Sequence, residues 1–98
     1  MKFKLVQLNG DTCAGCAENL WGIKEIIAQR DDIEFIEVGD LDEIKKYVEQ
    51  YQCTHLPSLL LLKDEKCLGI VHGYQPFEIL AYYVDIKISD YLKKEEER

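Results

Sequence analysis

The stretch Phe3-Lys4-Leu5-Val6-Gln7-Leu8-Asn9-Gly10-Asp11-Thr12-Cys13-Ala14-Gly15-Cys16 decides how the rest of the chain is read. Phe3 to Leu8 has the composition of a strand, with apolar Phe3, Leu5 and Val6, and Asn9-Gly10-Asp11 supplies a short turn. A Cys-x-x-Cys pair follows, and Ala17 to Arg30 then reads as a helix. The pair therefore stands where a strand hands over to a helix, with Cys13 at or near the helix start. Unpaired backbone N–H groups and the positive end of the helix dipole favour a thiolate over a thiol at such a place. The thiolate is the attacking species in thiol–disulfide exchange and is also a metal ligand. Cys16, one helical turn on, can reach Cys13 while being less exposed.

The composition narrows the classes of partner. Ninety-eight residues suit one domain with one modest core. Twelve basic against 19 acidic side chains give a net charge of −7. That argues against nucleic acid, which selects a basic face, and against adsorption to anionic lipid. No apolar run approaches the ~20 residues of a membrane span, so no membrane partner is expected. Met1-Lys2-Phe3 leads straight into the first strand without an apolar signal region, and a cytoplasmic location is expected. Four cysteines in a reducing compartment are catalytic, metal-binding or free rather than structural staples.

Beyond the cysteine pair, Leu20, Ile23 and Ile27 recur at helical spacing. Trp21 and Ile26 widen that stripe, so Trp21 is expected in the core or at its rim. Ile33 to Val38 reads as a second strand, and Gly39 breaks it. Asp40 is placed to cap a helix, with Glu43 in the capping-box position. Leu41, Ile44, Tyr47, Val48 and Tyr51 then form an amphipathic stripe, with Lys45, Lys46 and Glu49 on its wet side. Ser58-Leu59-Leu60-Leu61-Leu62 is an unbroken run that fits a strand buried on both faces. Lys63 to Lys66 is a polar turn, and Cys67 to His72 returns as the second arm of an antiparallel hairpin, ended by Gly73.

Pro76 suits the first turn of a final helix carrying Phe77, Leu80, Ala81, Val84, Ile88, Tyr91 and Leu92. Val84 to Ser89 also alternates like a strand, but the longer window favours the helix. Ile79, Tyr82, Tyr83 and Ile86 then fall partly off the core stripe, as an association patch or as part of a broad buried face. The domain is expected over residues 1–92, with 93–98 a polar C-terminal tail. The element order is β-α-β-α-β-β-α, an α/β arrangement with a βαβ unit. A Cys-x-x-Cys pair beside a βαβ pattern points to a redox site.

With these motifs placed, the chain resembles the thioredoxin family, in a short form without the extra N-terminal strand and helix. Three anchors carry the resemblance over nearly the whole sequence: Cys13-x-x-Cys16, Leu56-Pro57-Ser58 and Gly73. Their separations, 44 residues from Cys13 to Pro57 and 16 from Pro57 to Gly73, match the thioredoxin pattern. The resemblance implies a four-stranded mixed sheet flanked by three helices. It implies Cys13 as nucleophile, Cys16 as resolving thiol, and a cis Pro57 lying against the pair. Leu56, Pro57 and Gly73 would shape the substrate groove, with the Leu56 backbone free to pair with an extended substrate. Disulfide-containing proteins would be substrates, a separate reductase would supply electrons, and no cofactor is implied.

The chain also departs from that family. Thr12 stands where thioredoxins carry Trp, and Ala14-Gly15 lies between the cysteines. Gln7, six residues before Cys13, replaces a buried acid and cannot titrate. His55, two residues before Pro57, should face the pair; as a cation it would lower the Cys13 pKa, and as a neutral ring it could relay protons or bind metal. Simple solvent exposure is the plainer reading of His55. Asp11 would oppose thiolate formation. Cys53 and Cys67 form no second Cys-x-x-Cys, so a zinc or iron–sulfur module is disfavoured and both read as small core residues. No metal site is expected. Thiol–disulfide exchange leads, ahead of a partner-binding domain in which the cysteines are incidental.

Overall fold

The computed structural model describes residues 2–9, 14–53, 56–73 and 75–96, and for residues 14–19 the backbone alone. Its elements are β1 (Phe3–Leu8), α1 (Ala14–Gln29), β2 (Ile33–Val38), α2 (Leu41–Tyr51), β3 (Ser58–Lys63), β4 (Lys66–His72) and α3 (Phe77–Glu96). The strands form one mixed sheet in the order β2-β1-β3-β4. β1 runs parallel to β2, as a βαβ unit requires, and antiparallel to β3; β3 and β4 make the expected hairpin.

Side-chain alternation divides the core into two layers. Phe3, Leu5, Leu59 and Leu61 point to one face, where they meet Ile23 and Ile26 of α1 and Leu80, Val84 and Ile88 of α3. Val6, Leu8, Leu60 and Leu62 point to the other and meet Ile44 of α2 with Cys53. This explains the unbroken apolar run of β3: both its faces are covered, and Ser58 to Leu62 are all buried. Each such leucine stabilises the fold by about 1.5–3 kcal/mol relative to exposure.

Local chemistry sets the boundaries. The Asp40 carboxylate accepts a hydrogen bond from the Glu43 amide at 3.1 Å, capping α2. Gln52 closes that helix in the left-handed region, at φ 56° and ψ 45°. Arg30, just past α1, grips the Asp32 carboxylate through two nitrogens at 2.9 Å each and also reaches Asp85 of α3. One guanidinium thus ties α1, the start of β2 and α3 together.

Two expectations are corrected. Trp21 is 69% exposed rather than in the core or at its rim. At 100° per residue it lies almost opposite the Ile23 and Ile26 stripe, while Gly22 faces α3 closely enough that an added Cβ would lie 3.5 Å from the Phe77 Cα. The broad buried face considered for α3 is absent: Ile79, Tyr82 and Ile86 are exposed, and only Leu80, Val84 and Ile88 are fully buried. α3 extends to Glu96, with Lys93 and Lys94 in its last turn, where cations offset the negative end of the helix.

Candidate functional site

The strand register sets the described candidate residues toward one edge of the sheet. Leu8 is opposite both Val38 and Ser58, and Ser58 is opposite His72. The chain leaves the sheet here after β1, β2 and β4, and joins it here at β3. This is the carboxyl edge of the parallel pair, where open α/β sheets place their ligands. α1 begins beyond that edge at Ala14, so Cys16 lies in its first turn. Cys13, Asp11 and His55 lie outside the described residues.

On the β3 side, the Leu56–Pro57 peptide bond is cis. The Gly73 amide donates to the Pro57 carbonyl at 2.8 Å, so two of the three groove candidates are joined directly. Gly73 has φ +73°, the left-handed region that glycine adopts without steric cost. Leu56 is 44% exposed, and its backbone makes no hydrogen bond among the described residues. An exposed peptide unit of this kind is available to an extended chain.

Gln7 is completely buried on the α1 and α3 side of β1. Its amide donates to the Asn9 side-chain oxygen at 3.0 Å, and Asn9 in turn donates to the Glu37 carboxylate at 3.2 Å. A neutral amide thus occupies an interior position at the edge of the site, and among the described residues the carboxylate in this relay, Glu37, is at the surface.

One contact was not foreseen. The buried Ser58 hydroxyl lies 3.2 Å from His72 Nδ1, which places an imidazole beside the Pro57–Gly73 link. The hairpin was legible, but a plain register would set Ser58 against Val71. A bulge between Leu61 and Leu62 shifts the pairing by one residue and brings His72 opposite instead. No local signal in the sequence announces that bulge.

The remaining cysteines sit elsewhere, in the layer under α2. Burial pushes both the Cys53 and Cys67 thiols up from their usual range. The Cys67 thiol also points at the Gly69 carbonyl, 3.5 Å away. Both are therefore protonated and poorly nucleophilic near neutrality. Among the described residues no group of three or more His, Cys, Asp or Glu side chains is placed to hold a metal. No described helix is long and apolar enough to cross a membrane.

No protein-family model and no curated protein sequence matches this chain. Solved structures do. Oxidised thioredoxin from Plasmodium falciparum superposes with a TM-score of 0.71, at 19% identity over 86% of this chain and 79% of that one. Mitochondrial thioredoxin 3 from Saccharomyces cerevisiae gives 0.69 at 20% identity, over 86% of this chain and 78% of that one. The Drosophila melanogaster germline thioredoxin Deadhead gives 0.69 at 15%, over 86% and 80%. The chain has the thioredoxin fold. Within that fold, Leu56-Pro57, Gly73 and the first turn of α1 share one edge of the sheet.

Proposed function

We propose that the chain is a thiol–disulfide oxidoreductase whose working pair is Cys13 and Cys16. The observation that carries the proposal is the start of α1 at Ala14, beyond the same sheet edge that holds the Pro57–Gly73 link and the exposed Leu56. Cys13, the residue preceding that helix in sequence, is the proposed nucleophile. Helix-terminal N–H groups would lower its pKa and raise the thiolate fraction.

In the first step the Cys13 thiolate attacks one sulfur of a substrate disulfide. A Cys13–substrate bond forms, the substrate S–S bond breaks, and the first substrate thiolate leaves and takes a proton. In the second step the Cys16 thiolate attacks Cys13 Sγ. The Cys13–Cys16 disulfide forms and the second substrate thiolate leaves. Two electrons pass to the substrate, and a separate dithiol reductase, itself a protein partner, must return them to the pair. Leu56, Pro57 and Gly73 hold the extended substrate segment. Gln7 cannot relay the proton released from Cys16, so the second step relies on solvent or on His55. Cytoplasmic thiol pools would keep the pair reduced between cycles.

The test uses a model disulfide such as dithiobis(nitrobenzoate) and a protein disulfide. Cys13→Ser should abolish exchange, and Cys16→Ser should accumulate a mixed disulfide on Cys13. A Cys13→Ser variant that exchanges at the parental rate overturns the assignment.

A further inference from the structure

Away from the sheet edge just described, three lysines line one recess. Lys66 at the start of β4 and Lys87 and Lys94 of α3 line a space of about 180 Å3 together with Cys67, Asp90 and Tyr91. Lys87, Tyr91 and Lys94 follow one another at helical spacing, so they share a face of α3. Lys66 Nζ lies 6.0 Å from the centre of the Tyr91 ring, and Lys87 Nζ lies 5.4 Å from the centre of the Tyr83 ring. Tyr91 is itself fixed edge-on against the buried Phe3, with ring centres 5.9 Å apart. These aromatic faces hold two of the ammonium groups without neutralising them.

None of the three lysines makes an ion pair among the described residues. Among the described residues that line it there is a single carboxylate, that of Asp90. Two positive charges are left uncompensated there, on a chain whose net charge is −7. Like charges lining one recess repel one another, and an anion that entered would relieve that repulsion. An ammonium is a compact charge with three donors, suited to phosphate oxygens.

We propose that this recess binds a phosphate-type dianion, either free or as a phosphoryl group on a short peptide segment. The charge left over after Asp90 matches that of a dianion. The site is independent of the cysteine pair, and its occupation does not rest on the redox proposal.

The test follows backbone amide shifts of the 15N-labelled full chain at pH 7.5. Inorganic phosphate is titrated against sodium chloride at equal ionic strength. Phosphate should produce saturable shifts confined to residues 66–68 and 87–94, and chloride should not. Lys87→Gln and Lys94→Gln should each weaken binding about threefold, the size of one exposed ion pair, and together about tenfold. Lys87→Arg and Lys94→Arg should retain it. A phosphoserine peptide that binds more tightly than inorganic phosphate points to a phosphorylated segment, and equal binding points to a free anion. Shifts that track ionic strength alone, that arise elsewhere on the chain, or that survive both glutamine substitutions overturn the proposal.

Discussion

Gly69→Ala isolates the packing of α3 on the edge strand. Gly69 lies in β4 directly beneath Tyr83. A Cβ there would collide with the Tyr83 hydroxyl and stand 3.0 Å from Cζ and 3.1 Å from Cε1 of the ring. Tyr83 is half-buried, so it can swing outward. In doing so it gives up its hydroxyl bond to the Ile70 carbonyl, 3.5 Å long, and its contact with the Lys87 ammonium. The long hydrogen bond is worth about 0.5 kcal/mol, the exposed cation–π contact about 0.5–1 kcal/mol, and displacing the ring about 1 kcal/mol at the low end of overpacking. Against that loss, alanine is about 0.5–1 kcal/mol better than glycine inside a strand. The net is a destabilisation of about 1–2 kcal/mol. In a Tyr83→Ala background the collision is gone, and the same substitution should stabilise by about 0.5–1 kcal/mol. Urea unfolding of the four chains in this cycle reads both signs. If Gly69→Ala shifts the midpoint equally, and in the same direction, with and without Tyr83, the reasoning is wrong.

Arg30→Gln should destabilise by about 1 kcal/mol near neutrality, because it removes the clamp on Asp32 and Asp85. Arg30 holds the Asp32 carboxyl below its usual range, chiefly by hydrogen bonding. The stabilisation is therefore complete above the ordinary carboxylate pKa and is lost as pH falls through the depressed Asp32 value. Unfolding midpoints of parent and variant should converge in acid, and an unchanged gap at pH 2.5 would contradict the clamp. Trp21→Ala should change stability by less than about 0.5 kcal/mol, since the ring is 69% exposed. A loss of several kcal/mol would restore the core placement that the apolar spacing suggested.

Much of this architecture was legible because short-range chemistry determines it. The Asp40 cap, the β3 run and the β4 return each depend on a few adjacent residues, and all three appear as read. Trp21 was misread because periodicity locates an apolar stripe but not which edge of it meets a neighbouring helix. That edge is determined by α3, packed against Gly22 from far along the chain. The Ser58–His72 contact was hidden for a similar reason, since one bulged residue decides it. At the candidate site, motif spacing singles out Gln7, Pro57 and Gly73. The Gly73–Pro57 bond joining two of them depends on the hairpin register and becomes visible only in three dimensions.

The most direct test of the redox assignment is an equilibrium titration of the Cys13 and Cys16 thiols in defined thiol buffers, read by mass after labelling. The pair should close and open together in one reversible two-electron transition, at a potential between about −270 and −180 mV, with Cys53 and Cys67 labelled separately as thiols throughout. A pair that stays reduced across the whole range, or that oxidises only by pairing with Cys53 or Cys67, would contradict the assignment.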